Sequence, residues 1–108
     1  MKTKNVLFKI KEGKLDQWKQ WCDLLMTVKK EEALYSLALE KVYRETCLYF
    51  NINNTTYIIG SVSFLQDTKP ADMTLSVNVE HGRQKKECLE FVCNIDTLYD
   101  IGKYIDIK

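Results

Sequence analysis

From Leu15 to about Ala38 the chain carries neither Gly nor Pro, and Leu, Met, Ala, Glu, Gln and Lys fill most of the interval. Such a stretch predicts one long helix. Leu15, Trp18, Cys22, Leu25 and Val28 recur every three or four positions, and Trp21, Leu24, Leu34, Tyr35 and Leu37 widen the stripe, so one face is expected to be buried. A helix of about 24 residues is about 36 Å long, whereas a strand of about seven spans about 23 Å, so this helix must overhang its sheet or kink.

The flanking segments have the period of strands. Val6, Phe8 and Ile10 alternate with Leu7 and Lys9 over Asn5 to Ile10, giving a first strand. Tyr43 to Phe50 and Thr55 to Leu65 are rich in Tyr, Thr, Ile, Val and Phe, and Asn51 to Asn54 supplies turn-forming Asn, which predicts an antiparallel hairpin. Gln66 to Asp72 holds the single Pro of the chain and reads as a loop. A second helix is predicted over Val79 to Val92, with Asn78 or Ser76 at its start. A last strand follows over Ile95 to Ile101, where Ile95, Thr97, Tyr99 and Ile101 alternate with Asp96, Leu98 and Asp100. Gly102 ends it, and Lys103 to Lys108 form a frayed or docked tail.

Strand, helix, strand, strand, helix, strand is a ferredoxin-like β-α-β-β-α-β sandwich: an α+β fold with a four-stranded antiparallel sheet and two helices on one face. A length of 108 residues suits a single domain spanning 1–108. The strands carry apolar side chains on both faces, so the face without helices needs a cover, and a homodimer supplies it.

Sixteen basic and fifteen acidic residues leave a formal charge of +1, too balanced for the broad basic field of a nucleic-acid binder. The apolar run near the N-terminus is too short for a signal-peptide core or a membrane span, which points to a cytoplasmic protein. Cys22, Cys47, Cys88 and Cys93 show no paired-cysteine or His-rich spacing, so free thiols are expected and no metal site. No phosphate loop, nucleophile elbow or metalloprotease motif is present, and nothing in the sequence calls for a cofactor.

Two residues carry candidate chemistry. His81, the single histidine, shares a helix face with Val77, Lys85, Cys88 and Val92 and so points towards the sheet. Glu45 lies on the strand face of Tyr43, Cys47 and Tyr49, where a carboxylate must be paired, hydrogen-bonded or protonated. The two are expected to face one cavity between sheet and second helix, with Tyr43, Tyr49 and Tyr57 lining a pocket for a small organic ligand. Acid/base chemistry by His81 and Glu45 is one reading; a non-enzymatic binding or structural module, its pocket filled by its own aromatics, is the other. Trp18 and Trp21 read as helix-to-sheet packing.

The run from Phe8 to Lys14 followed by Trp18 and Trp21, the segment Val42 to Thr46 leading to Tyr57, and Ser76 to His81 leading to Glu87, Cys88 and Leu89 resemble an uncharacterised bacterial domain family. That family resembles the dimeric α+β barrel proteins, which include cofactor-independent monooxygenases, sugar mutarotases and haem-degrading enzymes. Asn78 stands where the family tends to have Asp. The resemblance implies a dimeric barrel fold and a pocket, and no reaction; isomerisation or cofactor-free oxygenation of a small organic molecule belongs to the acid/base reading, with His81, Glu45 and Tyr57 as its residues.

Overall fold

The computed structural model describes residues 2–65 and 67–102. Met1, Gln66 and the expected tail over 103–108 lie outside the described residues. The elements run β1 (Lys2–Ile10), α1 (Leu15–Met26), α2 (Lys30–Glu40), β2 (Val42–Ile52), β3 (Thr55–Phe64), α3 (Ser76–Cys88) and β4 (Leu89–Ile95). The fold is α+β: among the described residues there is one open, four-stranded antiparallel sheet in the order β2-β3-β1-β4, with three helices rather than the expected two.

The long predicted helix is broken at Thr27–Lys29. The Thr27 hydroxyl donates to the Asp23 carbonyl at 2.8 Å, and Thr27 N–H and Lys29 N–H both turn back to the Leu24 carbonyl. A β-branched Thr-Val pair, with a hydroxyl competing for a helical carbonyl, is poorly suited to continuing the helix. Val28 therefore leaves the apolar stripe for solvent. The break resolves the length mismatch between helix and sheet.

Both ends of the second predicted helix move towards the N-terminus. It starts at Ser76 because Glu32 of α2 caps it, accepting the Val77 N–H at 2.9 Å and the Ser76 hydroxyl at 3.0 Å. These bonds, chiefly the one from the backbone, hold the Glu32 carboxyl below its ordinary range. Asn78, a candidate cap, instead ties Ser36 of α2 to the Asp72 carbonyl. The helix ends at Cys88, whose carbonyl accepts the Lys11 N–H at 2.8 Å, and the chain then pairs along β1, Leu89 opposite Ile10 and Phe91 opposite Phe8. Residues 89–92 are therefore strand, and Cys93 is a strand residue. The predicted final strand over 95–101 is corrected to β4; Leu98, Tyr99 and Ile101 are exposed.

The core lies between the helices and one sheet face: Ile10, Ile58 and Leu89 meet Trp18, Trp21, Val77 and Cys88, with Phe8, Leu25, Ala33 and Leu75 packed around them. Strand alternation sends Leu7, Leu48, Phe50, Tyr57 and Ile59 to the opposite face, which no helix among the described residues covers. Phe50 and Tyr57 stack there with centroids 5.4 Å apart.

At the α2–β2 junction Lys41 has φ of +61°, the left-handed conformation that favours glycine. Lys41→Gly is expected to stabilise the fold by about 0.5–1 kcal/mol. Urea denaturation checks this; a destabilised variant would show that the Lys41 side chain contributes more than its backbone costs.

Candidate functional site

The site is assembled from α1, α3 and the edge strand β2. On α1, Trp21 is 2% exposed, so its indole N–H requires an acceptor inside the protein. It donates to His81 Nδ1 of α3 at 2.8 Å, and both Trp18 and Trp21 lie tilted against the imidazole with centroids 6.1 and 6.0 Å away. An indole nitrogen only donates, so Nδ1 is bare and the proton of the neutral ring sits on Nε2. That nitrogen faces Glu45 of β2, with Nε2 3.6 Å from Oε1. The distance is too long for a direct hydrogen bond, and the contact becomes an ion pair only when the ring is protonated.

The expected juxtaposition of His81 and Glu45 is therefore present in the geometry. Their side chains are 27% and 43% exposed. The imidazole, and after it the Lys85 ammonium, holds the Glu45 carboxyl below the ordinary carboxylate range against the opposing effect of partial burial.

Cys47, two residues along the same strand face, belongs to this cluster, as does Cys22 on α1. Trp18 Nε1, in a side chain 4% exposed, has no hydrogen-bond partner among the described residues. Interaction with the Cys22 thiol first, and then with the Trp18 indole, draws the Cys47 thiol down to about 7, against burial and the Glu45 charge. Cys22 is pushed up, first by its bond to Cys47 and then by burial. All four cysteines are free thiols.

Three expectations require correction. Tyr57 does not join Tyr43 and Tyr49 in one pocket, because its register opposite Phe50 places it on the helix-free face. Tyr49 is on the helix side, with Lys19 Nζ 4.7 Å from its ring centroid, and Tyr43 lies exposed in the irregularity between Val42 and Arg44. His81 and Glu45 line neither of the two best-formed clefts. One, of about 620 Å³, lies where the β1–α1 turn meets the Asn54–Thr56 hairpin; the other, of about 280 Å³, lies on the open sheet face between Arg44, Leu48 and Ser63. The His81–Glu45 pair is part-exposed and lies outside both clefts.

Cys22, Cys47 and the donor role of Trp21 went unassigned from sequence. The signal was available: Cys47 follows Glu45 by one strand period, and Cys22 shares the helical stripe with Trp18.

Among the described residues no group of three or more His, Cys, Asp or Glu side chains is placed to hold a metal ion, and no helix is long and apolar enough to cross a membrane. In comparisons with known proteins, the sequence model of DUF6176, a family of unknown function, matches residues 1–101. No curated protein and no solved structure matches the chain.

Proposed function

The chain belongs to this family of unknown function, and within it we propose a homodimeric, cytoplasmic protein that binds a small organic molecule at Glu45. The order β2-β3-β1-β4 with antiparallel neighbours supports reading the fold as ferredoxin-like. A second copy covering the helix-free sheet face completes a dimeric α+β barrel.

The observation that carries the binding role is the setting of Glu45: a partly exposed carboxylate kept ionised by an imidazole that Trp21 fixes from behind. His81 Nδ1 is taken by Trp21 and Nε2 faces Glu45, so His81 positions and Glu45 contacts the ligand. A carboxylate held below its ordinary range is a weak base, and this favours anchoring a cationic or donor-rich group over taking a proton from carbon. Acid/base chemistry is the second reading. It rests on the same carboxylate–imidazole pair, with Glu45 receiving the proton and His81 stabilising the charge that remains.

Thermal-shift screening of a metabolite library against the wild type and Glu45→Gln tests the anchor. Library hits are expected to bind the variant at least about tenfold more weakly, the loss of roughly 1.4 kcal/mol expected for a charge-assisted hydrogen bond. Hits that bind both proteins equally would remove Glu45 from the site. The substitution also has a pH signature. Folding lowers the Glu45 pKa, so the carboxylate's stabilising contribution is present above the unfolded value and is lost as pH falls through the folded one. Its exposure makes the contribution small. Glu45→Gln is expected to flatten that acid-side loss, read as thermal midpoint against pH; an unchanged profile would mean that the pair is not coupled in solution.

A further inference from the structure

We propose that the cleft on the helix-free sheet face binds a small organic carboxylate, its charged end held by Arg44 and its apolar body laid against Leu48. The site is built from one chain, and it depends neither on ligand binding at Glu45 nor on the dimer.

Strand register assembles it. Arg44 lies opposite Ser63, Thr46 opposite Ser61 and Leu48 opposite Ile59, three successive rungs of the β2–β3 ladder that share one face. Arg44, Thr46, Leu48, Ser61 and Ser63 line a cleft of about 280 Å³, a volume suited to a small ligand. The edge strand β2 carries an extra residue between Val42 and Arg44, and a bulge of this kind re-aims the side chains beside it. It sets Arg44 level with Ser63. From the β1 side, Asn5 accepts the Ser61 hydroxyl, and Thr3 and Ser63 share a hydrogen bond of 3.1 Å. The floor of the cleft is thereby fixed.

The chemistry of the lining selects the ligand. Among the described residues neither the Arg44 guanidinium nor the Thr46 hydroxyl has a hydrogen-bonded or ionic partner in the protein, and no carboxylate lines the cleft. A guanidinium presents a planar fork that matches a carboxylate with two parallel hydrogen bonds. Thr46 adds a donor, and Ser63 adds another while it accepts from Thr3. Leu48, 59% exposed, borders these donors. An inorganic anion leaves Leu48 in water, whereas a carboxylate on an apolar body covers it. Such a ligand also supplies the counter-charge that a guanidinium requires when a second sheet is laid over this face.

The test titrates benzoate into the isotopically labelled chain and reads backbone amide shifts. Saturable shifts are expected at Thr46, Ser61 and Ser63. Neutral benzamide, which lacks the charge, and inorganic phosphate, which lacks the apolar body, are each expected to bind at least about tenfold more weakly. Arg44 is exposed, so Arg44→Gln should keep the wild-type amide spectrum outside the cleft while weakening benzoate at least about tenfold. Arg44→Lys is expected to recover only part of that loss, because an ammonium has no fork. Glu45→Gln is expected to leave benzoate binding unchanged, which separates this site from Glu45. Shifts centred outside the cleft, shifts that grow without saturating, equal binding by Arg44→Gln, or phosphate bound as tightly as benzoate would overturn the proposal.

Discussion

Trp21→Ala is expected to lower stability by about 3–5 kcal/mol, the range for removing a large aromatic from a packed core. The side chain is 2% exposed and sits among Ile58, Val77 and Cys88, so the space left behind cannot close without moving both helices. For a domain of this size each kcal/mol lowers the thermal midpoint by about 4–8 °C, so a fall of more than about 12 °C is expected. Domains of this kind have about 5–15 kcal/mol in total, which leaves the variant near the limit of folding. Trp21→Phe separates volume from hydrogen bonding: it keeps most of the apolar filling and leaves His81 Nδ1 without its donor, at about 1–3 kcal/mol. Urea denaturation followed by circular dichroism reads both. A loss below about 1 kcal/mol for Trp21→Ala would contradict the placement of this residue in the core.

The second large effect is on assembly. Leu48 is 59% exposed, pairs with Ile59 and neighbours the Phe50–Tyr57 stack on the helix-free face. Leu48→Lys puts an ammonium into the middle of the proposed sheet-on-sheet contact, where it has no counter-charge and must be desolvated. Dimer dissociation is expected to rise at least about 100-fold, roughly 2.7 kcal/mol, while the fold of each subunit is unchanged. Light scattering at micromolar concentration should give the wild type twice the mass of one 12.7 kDa chain and the variant a single chain's mass. A monomeric wild type would remove the dimer, and with it the barrel reading.

These two residues also mark how far the sequence could be read. Local periodicity located α1, β1 and the β2–β3 hairpin, because the signals for them lie within a few neighbouring residues. The start of α3 depends on Glu32, and its end on pairing with Ile10, each more than 40 positions away in the chain. Cys88, Leu89 and Val92 fit a helical face equally well until β1 is there to pair with Leu89. In the site, strand and helix periods were sufficient to set Glu45 against His81. They could not show that Trp21 donates to His81, because packing accounts for a tryptophan without its N–H. Tyr57 was misplaced because its face depends on the hairpin register.

The position of β1 in the centre of the sheet has a kinetic consequence. Its partners are β3 and β4, with Lys9 opposite Tyr57 and Ile10 opposite Leu89, so the earliest of the four described strands must wait for both neighbours. Only the β2–β3 ladder, closed by the Asn53–Asn54 turn, is local. During synthesis the hairpin and α1 can form early, while β1 keeps unpaired edges until residues beyond Ile95 have left the ribosome. Completion of this domain is therefore governed by its last strand, and a truncation that removes β4 leaves the N-terminal strand open to pairing with other chains.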